Sequence, residues 1–156
     1  MIDACVGSID GLQIRIRKPH GSGKSYFCRK QFHAINALCI VDADRRVLFA
    51  NAQSKGPSHD STAWLCTGLS RAIDKGRLPK KYFIVGDDAF KAVSEQIVTP
   101  WPGKGLHISH PDRDAANFYL SRMRIEVEWC DIMIIFSILN SVINLNRGLA
   151  AAPLAH

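Results

Sequence analysis

Three acids stand out because of where they fall. Asp10 interrupts an apolar, β-leaning stretch that begins Ala4-Cys5-Val6 and continues with Leu12, Ile14 and Ile16 alternating with polar residues. An acid inside such a run is costly to bury unless it is paired or bound to a cation. Gly7 and Gly11 near it leave room for a ligand or another backbone. A Gly-rich bulge carrying a solvated Asp is the plainer reading of this stretch taken alone. Asp87 follows the apolar run Tyr82-Phe83-Ile84-Val85 and Gly86. That puts it at the end of a buried strand, where ligands bind in α/β sheets. Adjacent acids point to opposite sides of an extended segment, so only one of Asp87 and Asp88 can face Asp10; Asp87, directly after the glycine, is the choice. A third candidate lies in Ile125-Glu126-Val127-Glu128, on a helix opened by Asp112 or Asp114 and running to about Cys130. Its two acids sit roughly 200° apart, so one can face the sheet while the other is solvated.

Carboxylates that converge from a sheet and a helix repel one another unless cations lie between them. Oxygen donors of this kind suit hard divalent ions, Mg²⁺ or Mn²⁺. Paired ions can activate a water or a 3′-hydroxyl and stabilise the leaving oxygen in phosphodiester chemistry. Near the first acid stand Arg15, Arg17, Lys18, Lys24, Arg29 and Lys30, suited to phosphate-backbone contacts without sequence preference. Across the 156 residues, 20 Lys and Arg against 14 Asp and Glu give a net charge of +6, which favours a polyanionic partner, nucleic acid first.

The elements that must position these groups are readable in outline. Residues 4–17 read as one long strand, and Phe32–Val41 and Val47–Ala52 as two more. Asp42-Ala43-Asp44-Arg45-Arg46 between the latter two reads as a hairpin turn, so the three form an antiparallel meander. Gly56-Pro57-Ser58-His59-Asp60-Ser61 ends in helix-start chemistry, with Asp60 or Ser58 as N-cap of a helix through Ile73 that Lys75-Gly76 and Pro79 close. Ile97-Val98-Thr99-Pro100 reads as a short edge strand, because Pro100 forbids a longer ladder. Gly21-Ser22-Gly23-Lys24-Ser25 superficially suggests a phosphate loop. The required earlier glycine is replaced by Lys18, and the following residues look strand-like rather than helical.

Other function classes are excluded or weakened. The five cysteines are irregularly spaced with no CxxC pair, which argues against zinc and for free thiols in a reducing compartment. His107 and His110 with Asp112 lack a further well-spaced ligand for a metal site. The apolar run 132–143 is too short to span a bilayer, so no membrane role is expected. The N-terminus has no basic lead into an apolar segment, so it does not read as a secretory signal.

Five short motifs, in order, resemble the DDE superfamily endonucleases of the PIF/Harbinger transposase type, including transposase-derived nucleases. Ser8-Ile9-Asp10-Gly11 with the QIRIRKP that follows is similar to the family's first-acid motif. RKQFHAIN (residues 29–36) resembles RKGFHSIN, and GPSHDSTAW (56–64) resembles the GSxHDS loop. VGDDAF (85–90) resembles the GDSGY-like second-acid motif, and RIEVEW (124–129) the start of RxxVERAFG. The resemblance implies an α/β fold with an RNase H-like mixed sheet and flanking helices. It also implies a divalent metal, Mg²⁺ or Mn²⁺, and a DNA substrate. The catalytic and metal-holding acids fall on Asp10, Asp87 and Glu128, with Asp60 and Asp88 auxiliary. The sequence departs from the family at Asp88, where Ser or Glu is usual, and past Glu128, where Trp129-Cys130-Asp131 and an apolar tail replace a basic and aromatic continuation.

The resulting expectation is one DDE endonuclease domain over 1–131, cut close to its edges, with a divergent apolar tail over 132–156. It is a metal-dependent DNA endonuclease of the nucleus, intact or degenerate, that cleaves or transfers phosphodiester strands. With no DNA-reading module in the sequence, target choice falls to another segment or to a separate partner protein. The competing expectation is a non-catalytic DNA- or protein-binding module derived from the same fold.

Overall fold

The computed structural model of the chain describes residues 4–103 and 109–125. Five strands make one mixed sheet: β1 (Cys5–Arg15), β2 (Ala34–Val41), β3 (Val47–Lys55), β4 (Phe83–Val85) and β5 (Ile97–Val98). Two short helices, α1 (Asp60–Leu65) and α2 (Gly68–Asp74), lie between β3 and β4, and residues 111–125 form a further helical segment. The spatial order is β3-β2-β1-β4-β5. β1, β2 and β3 pair antiparallel, as the sequence predicts, whereas β4 joins β1 in parallel and β5 joins β4 in parallel. This is an α/β fold of RNase H-like type.

The order follows from hydrophobicity. β2 is buried along nearly its whole length, as its apolar sequence requires of a strand covered on both faces, and β3 at the edge is mostly exposed. The β2–β3 turn is held by Asp42, whose carboxylate accepts from the backbone N–H groups of Asp44 and Arg46 at 2.9 Å each and from Arg46 Nε at 2.8 Å. Those contacts hold the Asp42 carboxyl below the usual range, the Arg46 backbone bond contributing most.

β1 is regular from Ser8 to Arg15 against β2, so its side chains alternate strictly between the two faces. Ile9 points into the main core with Leu38, Ile40, Trp64, Ile73, Ile84, Phe90 and Ile97, the face that α1 and α2 cover. The opposite face carries Ser8 and Asp10. There the buried Ser8 hydroxyl donates to the carbonyl of Met123 at 2.9 Å, which fixes the 111–125 helix on that side.

Three local expectations are corrected. Residues 26–31 after the GSGKS sequence are turns closed by the Phe27–His33 bridge; neither a strand nor a phosphate-loop helix follows directly. The single helix through Ile73 is two, broken where the Thr67 hydroxyl accepts from the N–H of Ser70 at 3.0 Å and starts α2. The N-cap of α1 is His59, without a side-chain cap bond, so neither Asp60 nor Ser58 plays that part. Asp60 is instead the first helical residue, and its carboxylate is engaged elsewhere.

Candidate active site on the central strands

Asp10 sits on the central strand, half-buried, paired across to Cys39 and directed to the face that carries the 111–125 helix. Its Oδ1 accepts the N–H of Gly11 at 2.7 Å. Burial pushes its carboxyl up from the ordinary Asp value. The Gly11 N–H opposes that, the Asp87 carboxylate adds to it, the Arg124 guanidinium opposes it, and Asp60 adds a smaller push upward. Charge from Asp87 at the end of β4 and from Arg124 on the 111–125 helix therefore reaches Asp10, and that of Asp60 only weakly.

Asp87 follows β4, the parallel neighbour of β1, which brings the end of β4 towards Asp10. It is half-buried, and its side chain also accepts from the N–H of Ala89 at 2.9 Å, opening a single 3-10 turn over Asp88–Phe90. Asp88 is exposed and is the first residue of that turn, so the two acids do not lie on one extended segment. Glu128 and its neighbour Glu126 lie outside the described residues, as does the tail over 132–156.

Asp60 belongs to the other face. Gly11 points there, and a Cβ at Gly11 would run into the Asp60 carboxylate, so only glycine permits this approach. The carboxylate is held by Asn36, fully buried on β2, whose Nδ2 donates to Asp60 Oδ1 at 2.7 Å and to the Ser58 carbonyl at 2.9 Å. Sequence reasoning passed over Asn36, although an amide in the middle of the apolar run FHAINALCIV was a visible signal. Beside Asp60 opens a cleft of about 180 Å³ to which Gly11, Gln13, Arg29, Lys30 and His59 contribute.

The basic residues divide by place. Arg15, Arg17, Lys18, Lys24, Arg29 and Lys30 are all exposed. Arg15 lies over the Phe32 ring at 4.4 Å, while Arg29 and Lys30 line the Asp60 cleft. Arg124 is the cation sequence reasoning missed. It heads the RIEVEW motif, but its effect on Asp10 was not readable there, because that depends on the docking of the 111–125 helix.

Chemically, Asp10 and Asp87 offer hard oxygen donors whose mutual repulsion a divalent cation would relieve, which fits Mg²⁺ or Mn²⁺. Among the described residues, no group of three or more His, Cys, Asp or Glu is placed to hold a metal ion. Cys5, Cys28 and Cys66 are free thiols. No helix among the described residues is long and apolar enough to cross a membrane.

Comparison with known proteins places these observations in a family. The family model described as DDE superfamily endonuclease matches residues 9–153, a span that continues into the 132–156 stretch. The protein named "Putative nuclease HARBI1" from Rattus norvegicus is 26% identical over 85 residues, covering 54% of this chain and 24% of that protein. Its namesake in Xenopus laevis is 25% identical over 100 residues, 64% of this chain and 27% of that protein. The one in Bos taurus is 24% identical over 107 residues, 69% of this chain and 29% of that protein. The matched stretch thus spans about a quarter of the length of these curated relatives. No solved structure matches the chain. With the strand order, the acid on the central strand and the family match in agreement, the chain belongs to the DDE superfamily endonucleases.

Proposed function

We propose that this chain is a Harbinger-type, transposase-derived nuclease domain that cleaves DNA phosphodiester bonds with a divalent metal, Mg²⁺ or Mn²⁺, held by Asp10, Asp87 and Glu128. The observation that carries the reading is Asp10 itself: a half-buried acid on the central strand, pushed towards its neutral form by burial and by Asp87. A fold does not keep so costly a group without compensation, and a bound cation supplies it. Held by these acids, such a cation would supply Lewis acidity for activating a water or 3′-hydroxyl and for stabilising the leaving oxygen. The residues of the chain do the rest. The Gly11 N–H orients one Asp10 oxygen, and Asp87 adds an oxygen donor from the end of β4. Arg124 brings positive charge to Asp10, where it can also meet a non-bridging phosphate oxygen. Asp60 and Asp88 are auxiliary, Asp60 by tying the 56–60 loop to β2 through Asn36.

Arg15, Arg17, Lys18, Lys24, Arg29 and Lys30 contact the DNA backbone without reading sequence, so target choice belongs to another segment or to a separate partner protein. The working place is the nucleus, and the catalytic unit is residues 1–131, with 132–156 outside it. The experiment is nicking of supercoiled plasmid in Mg²⁺ or Mn²⁺ by wild type and by Asp10→Asn. Wild-type nicking that the variant loses is expected; equal nicking by both overturns the reading.

One observation favours a second reading, a non-catalytic DNA-binding module. The positive charge of Arg124 lowers the Asp10 carboxyl, so the chain itself offsets part of the cost of that acid. That reading predicts salt-sensitive DNA affinity in wild type and Asp10→Asn alike, with nicking in neither.

A further inference from the structure

We infer that Trp101, with Arg113 and Asn117, is a stacking site for an unpaired nucleobase of the DNA strand led to Asp10, an inference that rests on the nuclease reading above. Trp101 is half exposed, and a ring of that size outside the core is the least economical place for it. It is nevertheless held in place. The side-chain amide of Asn117 pairs with both backbone groups of Trp101, accepting its N–H at 2.8 Å and donating to its carbonyl at 3.0 Å. The Arg113 guanidinium lies over the ring, 4.5 Å from its centre. An aromatic whose backbone is pinned and whose ring is flanked by a cation loses little freedom when a base stacks on it.

The position ties this site to the acids. Arg113, Asn117 and Arg124 recur at helical spacing and share one stripe of the 111–125 helix. Arg124 acts on Asp10, and Asn117 stands two turns earlier, roughly 10 Å along the axis. A strand whose phosphates follow Arg124 and Arg113 therefore passes Trp101 within a few nucleotides of the scissile bond. Stacking is available only to a base freed from its duplex partner, so the preferred ligand is DNA with a single-stranded segment beside the cut. A net charge of +6 supports a polyanion over an apolar peptide as the occupant.

The test uses the full chain in EDTA, where binding is read without cleavage. Anisotropy of a labelled blunt duplex is compared with that of the same duplex carrying a 3′ oligo-dT tail. Wild type should prefer the tailed duplex, and Trp101→Ala should weaken that binding by about 10-fold while leaving the blunt duplex unchanged. Trp101→Phe should retain most of the preference. Equal losses on both duplexes, no loss on the tailed one, or no tail preference in wild type would each overturn the inference. Because no metal is present, a failure here is separate from a failure of Asp10-dependent nicking.

Discussion

At the scale of the residue, Asp10 carries a stability cost that its chemistry explains. Burial is the largest influence on its carboxyl and raises it, so the folded state favours the protonated form. A raised folded value contributes stability below the ordinary carboxyl range, and that contribution disappears as pH rises through the folded value. In EDTA near neutral pH, Asp10→Asn should therefore unfold at a higher temperature than wild type. The gap should close once pH falls below the ordinary carboxyl range, as thermal melts across pH will show. A less stable Asn variant at neutral pH would mean that Arg124 and the Gly11 N–H outweigh burial. The choice of Asp87 over Asp88 rested on alternation in an extended segment, whereas Asp87 caps a 3-10 turn that Asp88 begins; of the two, Asp87 is the one whose charge raises the Asp10 carboxyl.

At the scale of the element, the close approach of β1 and α1 depends on Gly11. Gly11→Ala would push the Asp60 carboxylate off Asn36, a cost of about 1–3 kcal/mol measurable by denaturant unfolding. The same substitution in an Asp60→Ala background should cost clearly less, since the carboxylate it collides with is gone. Additive losses would show that the strain lies elsewhere. This contact also marks a limit of sequence reading. Asp60 before an apolar helical run has every mark of an N-cap, yet Asn36, on a strand 24 residues earlier, takes its carboxylate. Likewise the spacing from Ala63 to Ile73 runs on through Thr67, whose hydroxyl breaks the helix by capping α2. The meander was legible because Asp42 and Arg46 are local; these two features depend on groups brought from a distance or on competition within one turn.

For the whole molecule, the sheet order decides the chemistry. Parallel pairing of β4 with β1 brings Asp87 to Asp10, and docking of the 111–125 helix through Ser8 brings Arg124 to the same place. Asp60 approaches through the opposite face at Gly11 and is spent on Asn36. Five ordered motifs in the sequence were enough to indicate this fold, because each is a short segment whose own residues carry the signal. The Arg124 and Trp101 contacts were not legible, since both arise from packing of the helix.

The account's central claim is that Asp10, Asp87 and Glu128 do the cleaving and Asp60 only supports them. Plasmid nicking in Mn²⁺ by Asp10→Asn, Asp87→Asn, Glu128→Gln and Asp60→Asn tests it most directly. The first three should each lower the nicking rate by at least about 100-fold, while Asp60→Asn should retain a measurable fraction of wild-type activity. Wild-type rates in Asp10→Asn or Asp87→Asn would contradict the claim.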